Sequence, residues 1–158
     1  MTAALMTVGC DKVTTDNIQL WKTTEKGPGK LSDALRDRSV DAKLRAEAAA
    51  ALIDIGKSEE EEAALAALPA NDRWDVVRAA IPLYVGQMTD PSPEKSLAAR
   101  DALFSLRALA SAEDQVRIDG ALLPGLEGEL RTGKVRNGRH SVEKILQAIG
   151  APAGAMLA

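Results

Sequence analysis

Apolar residues recur along this chain with the period of an α-helix. In residues 42–55 they fall on one helical face, at Leu44, Ala48, Ala51, Leu52 and Ile55. Near the end of the chain the same spacing recurs at Val142, Ile145, Leu146 and Ile149. Steps of three and four residues place side chains on the same side of a helix. Because β-branched runs in two-residue alternation are missing, the sequence predicts an all-α fold.

The composition excludes several classes of protein. Apolar residues make up 46% of the 158 positions, which suffices for the core of one folded domain. A net charge of −3 and a content of aromatic residues of only 3% argue against nucleic-acid binding. One cysteine and one histidine are too few for a zinc site. We therefore expect no metal, no cofactor and no nucleic-acid partner.

The helical segments come in consecutive pairs. Paired helices are predicted at 29–39 and 41–56, at 58–68 and 72–87, and at 94–110 and 112–130, followed by a last clear helix at 139–149. We divide the chain into a signal-like apolar segment at 1–9, a polar tether with one possible short helix at 10–27, and a helical repeat domain at 28–158.

Local patterns add expectations for single residues. Ser58 should cap a helix whose first turn holds the acidic run 59–62, where carboxylates favour the helix dipole, with an acidic binding patch as the alternative. Arg100 and Arg107 should share the outward side of the helix at 94–110. The buried stripe of the helix at 72–87 is expected at Trp74, Val77, Ile81 and Tyr84.

Residues 31–56, LSDALRDRSVDAKLRAEAAAALIDIG, resemble a HEAT repeat of the short bacterial type also seen in phycobilisome lyase-like proteins. The matching positions are Ala34, Leu35, Asp37, Leu44, Arg45, Ala48, Ala49, Leu52, Ile55 and Gly56. The resemblance implies a short α-solenoid of about three to four helix pairs, stacked so that their apolar faces share one core. It also implies a structural role for Arg45, which would reach Asp37 or Asp41 in a turn.

The same resemblance suggests a binding surface. In HEAT-like arrays the second helix of each pair lines the concave side, which commonly receives partners. The outward polar residues of those helices include Arg73, Arg78, Glu113, Arg117 and Arg139. We treat the four arginines as the candidate face for a protein partner, with an ordinary solvated surface as the alternative for each of them.

The sequence contains few residues that are suited to catalysis. The only histidine, His140, stands beside Ser141 and would have to serve any Ser–His–Asp arrangement. A helix cap by Ser141 or Asn137 explains that local pattern better. The basic connection at 131–139 is interpreted as a solvated loop, with a contact to anionic lipid or phosphate as the alternative.

The only cysteine follows a short apolar segment. The sequence TVGC, ending at Cys10, resembles the lipobox of bacterial lipoproteins, in which the cysteine becomes lipid-modified. Val8 and Gly9 match that pattern, whereas Thr7 stands where leucine is usual. The resemblance implies a lipid anchor at Cys10 and a place in the bacterial cell envelope, with the cytoplasm as the alternative. Several acyl chains would hold a protein on a membrane almost permanently.

These features lead to one functional hypothesis and one alternative. The hypothesis is a non-enzymatic, membrane-anchored lipoprotein that acts as a scaffold or protein-binding module. The alternative is a cytosolic HEAT-like enzyme, or an enzyme accessory of the lyase-associated kind.

Overall fold

A computed structural model describes residues 12–150 and 153–154 of the chain. Within these residues every regular element is helical, which confirms the predicted all-α class. None of the helices in this part of the chain has the length and hydropathy needed to cross a bilayer. Val8, Gly9 and Cys10 lie outside the described residues. The α-helices are α1 (Thr15–Trp21), α2 (Gly27–Arg36), α3 (Ala42–Asp54), α4 (Ser58–Ala66), α5 (Ala70–Gln87), α6 (Pro93–Leu106), α7 (Ala112–Thr132) and α8 (Val142–Ile149), with a 3-10 turn at Arg107–Leu109.

Short polar side chains fix where several helices begin. Asp41, Ser111 and Ser141 each accept a hydrogen bond from a backbone N–H in the first turn of the helix that follows. The prediction for Ser58 was wrong, since its side chain caps nothing and it is already the first residue of α4. The reason is the turn that closes α3, in which the N–H of Lys57 donates to the carbonyl oxygen of Leu52 at 2.8 Å. Lys57, the last residue of this turn, therefore occupies the N-cap position of α4, and its side chain makes no capping hydrogen bond.

Successive helix pairs stack into a short all-α solenoid. The central element is α3, which packs against both α2 and α5. Ala46, Ala48 and Ala49 of α3 are fully buried, and their small side chains let neighbouring helices approach closely. In turn α5 packs on α6, and α6 packs on α7, so that the apolar stripes of the pairs share one core.

The first helix belongs to this core and not to a tether. Ile18 is fully buried and Trp21 is 4% exposed, and α1 contacts both α2 and α3. The packed body therefore begins well before residue 28, where the sequence analysis starts it. The possible short helix of the sequence analysis thus exists, and it packs through Ile18 and Trp21 instead of lying in a tether.

Two expectations about side-chain direction were wrong. Trp74 is 37% exposed, because the buried side of α5 is formed by Val76, Val77, Ala80, Ile81 and Tyr84. Arg100 was expected to face outward, yet it is 3% exposed. Trp74 lies on a candidate binding surface and Arg100 lies in a buried ionic cluster, and both are described next.

Candidate functional site

The predicted turn residues of the first repeat hold structural positions. Arg45 is buried, and its Nε donates to the carbonyl oxygen of Leu35 at 2.9 Å instead of to Asp37 or Asp41. Asp37 accepts hydrogen bonds from the hydroxyl and the N–H of Ser39, which lower the pKa of its carboxyl group. Asp41 caps α3. Arg45 thus satisfies one of the free carbonyls at the end of α2, which joins the two helices of the pair.

Two arginines of the predicted face converge on one buried carboxylate. Arg78 Nη2 on α5 lies 3.3 Å from Asp114 Oδ2, and Arg117 Nη1 on α7 lies 3.2 Å from Asp114 Oδ1. The hydroxyl of Ser111 donates to the same carboxylate at 2.8 Å. The hydrogen bond with Asp114 raises the pKa of Arg78. Asp114 is fully buried while the two arginine side chains are 48% and 49% exposed, so each guanidinium is fixed and still accessible.

Trp74 extends this surface along α5. It precedes Arg78 by one helical turn, so the indole and the guanidinium lie on the same face of the helix. Its neighbour Arg73 donates to the carbonyl oxygen of Ala66 at 3.5 Å, and the buried Nε of Arg73 has no partner among the described residues. Arg73 lies five positions before Arg78 and so on another side of α5, and we call Trp74, Arg78 and Arg117 the α5–α7 face.

Arg139, the fourth arginine of the predicted face, lies on a different surface. It belongs to the connection between α7 and α8, and its Nη2 donates to Glu62 Oε2 of α4 at 2.8 Å. The structure therefore places three of the four arginines on α5 and α7 and separates the last one from them.

The most deeply buried ion pairs lie where α6 meets the connection between α7 and α8. The guanidinium of Arg100 contacts Asp101 Oδ1 at 3.0 Å and Glu129 Oε2 at 3.3 Å. It also donates to the backbone oxygens of Arg136 at 2.9 Å and His140 at 3.2 Å. These oxygens replace water around the buried charge, which explains why Arg100 points inward. The cluster fixes the path of the connection.

Asp101 holds the same connection through its second oxygen. Asp101 Oδ2 accepts the backbone N–H of Arg139 at 2.5 Å. A Cβ at Gly138 would lie 2.1 Å from this oxygen, so only glycine fits there. Residues 131–139 are all exposed, as the sequence predicted for a solvated loop, and the backbone of this connection is in addition fastened to the buried side chains of Arg100 and Asp101.

His140 contacts a serine, but not in the arrangement of a hydrolase. Its Nε2 lies 3.1 Å from Ser105 Oγ, and its Nδ1 lies 3.5 Å from Lys144 Nζ. Burial lowers the pKa of His140. In a Ser–His–Asp triad a carboxylate holds Nδ1, whereas here the ammonium group of Lys144 lies beside it, so these contacts do not form such a triad.

Sequence analysis missed a buried acid in the run 59–62. Glu61 on α4 is fully buried, and the hydroxyl of Tyr84 donates to its Oε1 at 2.5 Å. Its Oε2 has no hydrogen-bond partner among the described residues. Burial raises the pKa of Glu61 to about 8, because Tyr84 replaces only part of the lost hydration. The glutamates do lie in the first turn of α4, but Glu61 is buried there instead of exposed.

A signal for this burial was present in the sequence. Position 61 precedes Ala64 and Leu65 by three and four residues, which places it on the inward side of α4. The inward position of Glu61 is hard to recognise in the sequence, because four consecutive glutamates suggest that all of them are exposed.

Glu61 lines a cavity of about 310 Å³ between α4, α6 and Arg139. We call it the Glu61 cavity. One wall is apolar and comes from α6, through Leu97, Ala98 and Ala102. The polar part of the lining comes from Ser58, Glu62, Glu94 and Asp101. A buried acid with a free oxygen beside an apolar wall is a typical feature of a ligand site.

A larger and more open groove lies at the C-terminal end of the described chain. Its volume is about 650 Å³, and Leu130, Val135 and Leu146 contribute to a mostly apolar lining.

No group of three or more metal-ligating side chains occurs in the described part of the chain. The candidate sites are therefore the α5–α7 face and the Glu61 cavity, since both combine fixed charges with accessible apolar surface.

Comparisons with protein-family models, with curated proteins and with solved structures find no match to this chain. The HEAT-like and lipobox-like resemblances stay predictions from the sequence, and the function has to be inferred from the geometry.

Proposed function

We propose that this protein is a non-catalytic, HEAT-like protein-binding module, that its docking surface is the α5–α7 face, and that a lipid on Cys10 holds it at a bacterial membrane. The observation that carries the binding part is the exposed indole of Trp74 one turn from Arg78, whose guanidinium is fixed by Asp114. Tryptophan and arginine are the side chains most enriched where protein interfaces gain their affinity.

The geometry also indicates the chemistry of the partner. Arg78 and Arg117 lose little conformational entropy on binding, because Asp114 already restrains them. Asp75 also pairs with Arg78 and Glu113 with Arg117, so the N–H groups left over suit neutral hydrogen-bond acceptors, and Trp74 suits an apolar side chain. The expected partner is a segment of another protein that presents an apolar residue next to hydrogen-bond acceptors.

The membrane part of the proposal has separate support. A lone cysteine follows Val8 and Gly9 in the lipobox-like order, and the folded body begins within a few residues of it. Such a short connection would hold α1 and the helices packed on it close to the membrane surface.

Site-specific photo-crosslinking tests the binding part. A benzophenone amino acid at Trp74, in cells that express the native reading frame, should give one discrete adduct. The same probe at Leu20, an apolar residue on α1 that is 59% exposed, should not give it. Arg78→Ala should remove the adduct, whereas Arg36→Ala, which removes an exposed arginine of α2, should leave it.

The proposal is wrong if the two probe positions give the same pattern, or if Arg78→Ala has no effect on the adduct. An adduct with a cytosolic enzyme, together with a free thiol at Cys10, would favour the alternative of an enzyme accessory.

A further inference from the structure

We propose that the Glu61 cavity binds a primary ammonium group at the end of a short carbon chain, with the Glu61 carboxylate as its counter-ion. This inference is independent of the α5–α7 face, because the cavity is lined by α4, α6 and the connection before α8. The ammonium belongs to a free alkylamine or to a lysine side chain of another protein, since both present the same chemistry.

The buried carboxyl group selects a ligand that donates hydrogen bonds. Tyr84 already occupies Glu61 Oε1, and Oε2 is buried with no partner among the described residues, so the carboxyl group turns toward the cavity when it meets a ligand. A guanidinium binds best with two parallel hydrogen bonds to both oxygens of a carboxylate, and here one oxygen is taken. An ammonium is a point charge that needs only Oε2.

Other residues of the cavity fit the same ligand. The hydroxyl of Ser58 caps no helix, so it is available as a second acceptor. Leu97, Ala98 and Ala102 provide an apolar wall for the carbon chain. A bare metal ion fits poorly, because hard cations need several converging oxygen ligands and no group of three or more such side chains converges in the described part of the chain.

The charges around the cavity favour a cation over an anion. Glu62 and Glu94 line it with Glu61, and the nearest positive charge, Arg139, is paired with Glu62. Asp101 also lines it, and Arg100 balances that charge. The surroundings are therefore acidic, and an organic anion would be repelled.

Binding should release a proton. Burial and the neighbouring charge of Glu62 raise the pKa of Glu61, and hydrogen bonding from Tyr84 and the charge of Arg139 lower it, with a result of about 8. Glu61 is thus mostly protonated at neutral pH. When an alkylammonium ion pairs with it, the ion keeps its own protons and the carboxyl proton passes to the solvent.

Calorimetric titration of the whole protein with n-butylammonium chloride tests this proposal. The titration is run near pH 7 in two buffers that differ in ionisation enthalpy, phosphate and MOPS. We expect saturable binding, with a difference in heat that corresponds to release of most of one proton per bound amine. The neutral analogue n-butanol should not bind. Titration with Nα-acetyl-lysine amide distinguishes the sources, since binding of this larger probe indicates a lysine side chain and its exclusion indicates a free amine.

Two variants check the position of the site. Glu61→Gln should weaken binding at least tenfold and abolish the proton release, whereas Glu60→Gln, which changes an exposed neighbour on α4, should alter neither. Ala98→Leu keeps the carboxyl group and fills the apolar side, so it should also weaken binding at least tenfold. Circular dichroism confirms that each variant is folded. The proposal is overturned if neither amine binds the wild type, if binding releases no proton, or if either folded cavity variant binds as the wild type does.

Discussion

Glu61 makes the stability of the folded protein depend on pH. The pKa of its carboxyl group is about 8 in the folded chain and has its usual value of 4.5 in the unfolded chain. Between these values the folded state binds more protons than the unfolded state, so the free energy of unfolding falls as the pH rises. Below this window both states are protonated, and above it both are ionised.

Replacing Glu61 by glutamine should remove this dependence. Relative to the wild type, Glu61→Gln should gain roughly 1–3 kcal/mol in the free energy of unfolding between about pH 5 and about pH 8. Urea unfolding at several pH values measures the difference, and Glu60→Gln serves as the exposed control. Parallel pH profiles for wild type and Glu61→Gln would show that the acid is not buried in solution.

Gly138 is the residue at which the backbone comes closest to a buried side chain. Gly138→Ala should cost about 1–3 kcal/mol in the free energy of unfolding, because the new Cβ would overlap Asp101 and press on Leu97. Asp101 has little room to move, since Arg100 and the N–H of Arg139 hold it. Urea unfolding again provides the measurement.

The matched control is Gly120→Ala on α7, where a Cβ meets nothing within 4 Å. Alanine favours a helix more than glycine does, so this variant should gain about 0.5–1 kcal/mol. Equal stability of the two variants would mean that the connection before α8 is not fastened to Asp101.

At the scale of helices, α1 decides where the folded domain begins. Trp21→Ala should lower the free energy of unfolding by about 3–5 kcal/mol, because a large apolar side chain is removed from the core. Leu20→Ala on the same helix should change it by less than about 0.5 kcal/mol, since Leu20 is exposed. Thermal or urea unfolding of both variants gives the comparison. A tether would predict little effect for either residue.

At the scale of the whole molecule, the anchor and the folded body should be separable. Expressed from its native reading frame, the wild type should fractionate with membranes, and Cys10→Ser should appear in the soluble fraction with an unchanged melting temperature. A high-salt wash should not release the wild type, because a protein of net charge −3 is not held on anionic lipid by charge. Mass spectrometry of the N-terminal peptide reports acylation, and a free thiol at Cys10 in a soluble protein would contradict the lipoprotein hypothesis.

The sequence by itself determined the helical class and much of the element order. Apolar spacing indicated the pairs from α2 to α7, and the caps at Ser111 and Ser141 follow from local hydrogen bonding that any chain segment can form. The glycines after α3 and α8 also act locally, since both adopt a positive φ that other residues avoid. These features depend on a few neighbouring residues, and for that reason they can be predicted without the fold.

The candidate sites depended on tertiary structure. Periodicity shows which residues share a helix face, but it does not show which of them are buried. Trp74 lies at the edge of its apolar face, and Glu61 and Arg100 carry charges that are usually found at the surface. Whether such a side chain is buried depends on which groups a distant helix brings to it. Tyr84 reaches Glu61 across 23 positions, and Glu129 reaches Arg100 across 29. These pairings exist only after the helices have packed, because a buried charge is tolerated only where partners replace its water.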